Sequence, residues 1–169
     1  MKSITTFILL FVVIFSYGQS KEETQVWISQ QIQYYSFKDA TSVNVYKLRF
    51  ENSQLIINNI FKRTLPNSEE TYVISYYVPI NDIKSIQFEE KDNKTWMLIG
   101  TKSGKETIKY IPPFFVKKKR NGLTTMYELP ESKMRYLSQI EIVLSNTISE
   151  DNVKSRLIKS FDHLIRFYN

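Results

Sequence analysis

The sequence predicts an α+β domain: seven short antiparallel strands forming a bent sheet, one amphipathic helix after them, and an additional helix before them. Three observations carry this expectation. Apolar residues alternate with period two through most of 43–144, as half-buried strands require. The connections between these runs are too short for crossover helices, so neighbouring strands must be antiparallel. Beyond Ser149 the apolar period becomes that of a helix.

The first element is a leader. Lys2 is followed by an apolar run from Phe7 to Phe15 and then by Ser16, Tyr17 and Gly18. This is the charged, apolar and small-x-small order of a cleavable secretory signal peptide, expected over 1–19. A membrane anchor is the competing reading, but a stretch of roughly 10–15 apolar residues is short of the approximately 20 that cross a bilayer. No cysteine follows Gly18, as a lipid anchor would need. The rest, 20–169, is expected to be a single exported domain with no integral span, in the periplasm or outside the cell. The short leader and the abundance of Ile, Asn and Lys suggest a bacterium with an AT-rich genome.

Composition narrows the class of function. The chain has no cysteine, so its stability must come from a hydrophobic core, which about 150 residues can supply. Aromatic content of 14% and only 4 Gly argue for order. Removing Lys2 with the leader leaves 22 basic and 17 acidic side chains, a balance of +5. For an exported protein that modest excess suits an acidic partner or an anionic envelope surface, not nucleic acid.

The elements follow in order. Over 20–36, Trp27, Ile28, Ile32 and Tyr35 share one helical face with Thr24 and Gln31, and Glu22 and Glu23 complement the helix N-terminus. Strands are expected at 43–51, 54–63, 71–78, 84–90, 94–101, 105–111 and 137–144, divided by turn residues such as Asn52-Ser53, Asp92-Asn93 and Ser103-Gly104. Pro112-Pro113, Asn121-Gly122 and Pro130 make 112–132 a long loop that can hold a ragged hairpin at Asn121-Gly122. A final helix is expected over 149–168, with Ser149 as N-cap and Glu150 and Asp151 in its first turn. Its apolar face comprises Val153, Leu157, Ile158, Phe161, Leu164, Ile165 and Tyr168.

Within this order, Val78-Pro79-Ile80-Asn81-Asp82-Ile83-Lys84-Ser85-Ile86 resembles the I-P-L-x-D-I-x-x-I segment of bacterial pleckstrin-homology-like and GRAM-like domains. The resemblance covers 43–168 by element order and these nine residues by motif. It implies a bent antiparallel sheet or barrel whose last helix plugs one open end. The residues also have a direct physical reading: Pro79 ends a strand, Asn81 and Asp82 make a turn, and Ile80, Ile83 and Ile86 return to the core. The family's phosphoinositide-binding members resemble one another in a basic first hairpin, whereas here that turn is Glu51-Asn52-Ser53. Inositol-phosphate recognition is therefore not carried over.

Catalytic and metal chemistry find little footing. His163 is the only histidine and is expected to be exposed on the last helix, without a triad or a histidine-rich metal site. The pairs Glu22-Glu23, Glu69-Glu70, Glu89-Glu90 and Glu150-Asp151 are expected to be solvated. Phosphate-cradling glycine motifs are absent. No enzyme, cofactor or metal is expected.

The candidate binding residues are Phe114, Phe115, Lys117, Lys118, Lys119 and Arg120. Two aromatics beside four cations suit an acidic protein partner or anionic head groups, each cation contributing about 1 kcal/mol near such a surface. A purely structural reading has the rings closing the barrel and the cations guarding a sheet edge. The expected function is a non-enzymatic binding or scaffolding module acting on a protein or envelope component. The alternative is a lipocalin-like carrier whose Tyr and Phe residues line a cavity for an apolar ligand.

Overall fold

The computed structural model describes residues 20–113, 115–129, 133–149 and 152–169. The expected leader, 1–19, lies outside them. Among the described residues the fold is α+β and almost wholly antiparallel, with two helices and ten strands in a seven-stranded and a three-stranded sheet.

Helix α1 (Lys21–Tyr34) opens with a capping box: the Ser20 hydroxyl accepts from the Glu23 amide at 3.1 Å, and the Ser20 amide donates to the Glu23 carboxylate at 2.8 Å. Its buried face is Thr24, Ile28 and Ile32, continued by Tyr35, as the spacing requires. Strands β1 (Ser42–Glu51), β2 (Gln54–Leu65) and β3 (Ser68–Pro79) form a long meander. At the β1–β2 turn Asn52 and Ser53 both take positive φ, 50° and 60°, the backbone a twisted two-residue hairpin needs. Asp92 and Asn93 repeat this, at 54° and 57°, between β4 (Ile83–Lys91) and β5 (Lys94–Thr101).

The 78–86 segment behaves as its residues dictate. Pro79 ends β3, Ile80–Asp82 make one turn of 3-10 helix, and Ile80, Ile83 and Ile86 are buried. Strand β6 is shorter than expected, Ile108–Ile111, because Lys102–Gly104 form a 3-10 turn and the chain is irregular up to Thr107. The single strand expected at 137–144 is two: β9 (Arg135–Leu137) and β10 (Gln139–Ser145), separated at Ser138. β9 pairs with β6 in the large sheet, and β10 pairs with β5 in the small one. Ser138 is thus where the chain changes sheets, and its carbonyl accepts from both the amide and the hydroxyl of Thr101, each at 3.0 Å.

The long loop expected at 112–132 is instead largely a hairpin of β7 (Phe115–Arg120) and β8 (Leu123–Glu128). The count of seven strands falls short for this reason and because of the break at Ser138. The final helix also begins later than expected. Helix α2 spans Val153–Arg166 with Asn152 at its N-cap, while Ser149 ends a 3-10 turn and donates its hydroxyl to Glu90 at 2.9 Å. Glu150 and Asp151 lie outside the described residues.

The core gathers where the two helices meet both sheets. Leu55, Ile57, Met97, Ile99, Ile142, Leu157 and Phe161 are fully buried there. α1 and α2 pack together, with the Lys21 ammonium 4.0 Å from the centre of the Tyr168 ring and the Arg156 guanidinium 4.9 Å from that of Trp27. Tyr46 of β1, 1% exposed, crosses between the sheets: its phenol oxygen accepts the Val143 amide of β10 at 2.9 Å. Burial pushes that phenol well above its usual pKa, so it remains neutral. Beside it the Phe37 amide donates to the Val143 carbonyl and the Ser145 amide to the Tyr35 carbonyl, at 3.4 and 2.8 Å.

Replacing Tyr46 by Phe keeps the ring but leaves the part-buried Val143 amide without its partner. Urea denaturation should show a loss of about 1–3 kcal/mol, several times the effect of an exposed Tyr34→Phe change.

Candidate functional site

The site grows from the geometry of β3. Its twelve residues pair with β2 along their whole length, but the other edge is shared. Ser75–Tyr77 pair with β6 and Glu69–Tyr72 pair with β7. Between these stretches β3 uses two residues, Val73 and Ile74, while the opposing chain uses four, 112–115. Pro112 and Pro113 explain the bulge, since neither can donate to the ladder. Past it the chain rejoins β3 and turns back at Asn121-Gly122, whose φ values of 49° and 78° make a two-residue turn.

The resulting hairpin has two faces. On the inner face Val116 is buried, and Lys118 donates to the Glu70 carboxylate at 3.1 Å. The Tyr72 hydroxyl donates to the same carboxylate at 2.7 Å. The Tyr72 hydroxyl first, and then the Lys118 ammonium, hold the Glu70 carboxyl below the usual carboxylate range. Glu70 is therefore not solvated as expected, and Lys118 is committed to holding the hairpin on β3.

The outer face differs. The cross-strand ladder Val45–Ile60–Val73 runs over β1, β2 and β3, with Val73 half exposed. Beyond Val73 lies an open groove of about 440 Å³ lined by Thr71, Val73, Ser75, Ile111, Pro112, Phe115, Lys117 and Met126. Phe115 is 51% exposed and Met126 67% exposed at its rim. A second hollow of about 300 Å³ adjoins it, bounded by Lys62, Glu69, Thr71, Lys117, Lys119 and Thr124. Lys117, Lys119 and Arg120 are exposed and form no ion pair among the described residues.

The expected binding residues are thus separated by their roles. Phe115, Lys117 and Lys119 stand at the groove, Lys118 is structural, and Arg120 flanks the hairpin tip. Phe114 lies outside the described residues. Phe115 does not close a barrel but faces the groove. Thr71, Val73, Ser75 and Ile111 were not expected in the site. Val73 lies on the opposite alternation from Tyr72, Ile74 and Tyr76, and that phase was the available signal.

His163 is half-buried rather than exposed, its ring 4.8 Å from that of Phe167 in an edge-on contact. Glu90 is also engaged, by Lys154 at 2.6 Å and Ser149 at 2.9 Å. Among the described residues no group of three or more His, Asp or Glu side chains is placed to hold a metal ion, and no helix is long and apolar enough to cross a membrane. No protein-family model, curated protein or solved structure matches the chain.

Because the folded state lowers the Glu70 pKa, its contribution to stability is present above the ordinary carboxylate value and lost as the pH falls through the folded one. Glu70→Gln should cost about 1 kcal/mol at pH 7, and the gap to the parent should narrow below about pH 4. Chemical denaturation at a series of pH values checks this; a gap independent of pH would contradict it.

Proposed function

We propose that this protein is an exported, non-enzymatic binding module whose working surface is the outer face of the β7–β8 hairpin and the groove beside it. It acts on a protein or another component of the cell envelope. One observation carries the reading. An apolar groove with half-exposed Phe115 and Met126 at its rim is flanked by Lys117 and Lys119, cations with no ion-pair partner among the described residues. Exposed apolar side chains beside these cations match a ligand that is partly apolar and partly acidic.

The pleckstrin-homology-like reading of the scaffold draws support from the antiparallel meander, the Val78–Ile86 turn and the C-terminal helix packed on the core. The extra hairpin and α1 are departures from that plan. The described core gives the carrier of apolar ligands little support. The space between the sheets is filled by Tyr46, Ile57, Met97, Ile99 and Phe161, and the groove opens outward.

Export is tested by the N-terminal peptide of the protein isolated from its host, which should begin at or next to Ser20; recovery of Met1 in the envelope fraction would refute cleavage. For the binding role, a photoreactive amino acid replaces Phe115 in the native host. A discrete adduct should form on irradiation and disappear when Lys117, Lys119 and Arg120 become Ala. Absence of any adduct, with the protein folded and present at normal level, would remove this surface as the working one.

A further inference from the structure

We propose that the open edge of β8 takes up an extended acidic segment of a partner protein as an added β-strand. This rests on the binding role proposed above and names the partner's chemistry and its mode of attachment.

The backbone makes the first part of the argument. Among the described residues β8 pairs with β7 and with no other strand. In a two-residue hairpin the pair flanking the turn, here Arg120 and Leu123, exchanges ladder hydrogen bonds, and such pairs alternate along the strands. The ladder therefore uses Leu123, Thr125 and Tyr127. The amides and carbonyls of Thr124, Met126 and Glu128 point to the open side.

Natural sheets guard such an edge with a lysine, a proline, a bulge or a covering segment. β8, Leu123-Thr124-Thr125-Met126-Tyr127-Glu128, has no lysine or proline and a single charge, Glu128, at the end away from the hairpin tip; its register with β7 is unbroken, and all six residues are exposed. The cations stand one strand further in. Their cross-strand partners on β8 are short or flexible: Lys119 faces Thr124 and Lys117 faces Met126. A strand added at the edge would lie about 4.8 Å from β8, with Lys119 able to extend toward it over Thr124 and Lys117 beside Met126. The arrangement fits attraction across the edge better than a guard upon it.

Charge selects the occupant. A second copy joined through β8 would set two Lys117–Arg120 runs within three strand steps of each other, whereas an acidic strand complements them. A lipid surface leaves the edge amides and carbonyls without partners. The exposed Leu123, Met126 and Tyr127 ask for apolar residues between the acidic ones.

The test probes the purified protein with an array of peptides of about eight residues, in which Glu or Asp alternates with Val, Ile or Leu. The comparison array carries Lys at the acidic positions. Acidic members should bind about tenfold or more tightly than their Lys counterparts, and N-methylation of alternate peptide amides should remove that advantage. Met126→Pro, which removes one outward amide, should weaken binding about tenfold, while Met126→Leu, which keeps both the amide and an apolar side chain, should weaken it far less, with circular dichroism verifying both folds.

Equal binding of both arrays, indifference to N-methylation, or no binding by any member would overturn the proposal. So would a dimer in sedimentation that Met126→Pro dissociates, or binding to phosphatidylglycerol vesicles alone. A Phe115 photoadduct without peptide binding would leave the binding role standing and sink only the strand addition; loss of both would end both.

Discussion

The hydrogen bond from the Val143 amide to the buried Tyr46 phenol is the contact on which the arrangement of the two sheets depends. It joins β1 of one sheet to β10 of the other where no ladder connects them, in an interior where an unpaired amide costs about 1–3 kcal/mol. Phe37 and Tyr35 add backbone bonds along the same seam, and Ser138 carries the chain between sheets elsewhere. The helices then close on this junction, with Phe161 and Leu157 of α2 and Ile28 and Ile32 of α1 fully buried.

Fixing the core at that junction has a consequence for the long strands. β2 and β3 each have twelve residues, roughly 40 Å of extended chain. Their fully buried positions, Leu55, Ile57 and Val78, lie near the end adjoining β1's turn and the Pro79 break. The opposite ends project beyond the core, and β7 and β8 extend this arm. Small contacts hold the arm together: Val116, Tyr72, and the Lys118 pair with Glu70. The buried core and the exposed apolar groups thus fall to different parts of one sheet, and the arm can present apolar groups without weakening the centre.

How much of this was legible depends on how much of each element is half buried. β1 and β3 announce themselves because apolar residues recur at every second position, while β2 and β5 read as strands through short apolar runs, Leu55-Ile56-Ile57 and Met97-Leu98-Ile99, buried on both faces. Asn52-Ser53 and Asp92-Asn93 supply residues that tolerate positive φ where the turns need it. The face of α2 was equally plain, since Val153, Leu157, Phe161 and Leu164 all pack inward. β7 and β8 wrote no such alternation: most of their side chains are exposed, and a run of four cations conceals a strand. Ser149 has the chemistry of an N-cap, but its hydroxyl serves Glu90, a partner 59 positions away. The cap of α1, Ser20 with Glu23, lies just past the residues read as a leader, and the capping box was not read from the sequence. The cations of the site were legible as residues; the groove was not, because Val73 and Met126 reach it only through the pairing of β3, β7 and β8.

Amide hydrogen exchange followed residue by residue tests the division of labour between core and arm. The account predicts slowest exchange for Leu55, Ile57, Met97, Ile99 and Ile142, intermediate exchange for Leu123, Thr125 and Tyr127, and near-unprotected exchange for Thr124, Met126 and Glu128 on the open edge. Uniform core-like protection along β8 would mean that its edge is already covered and would contradict the account.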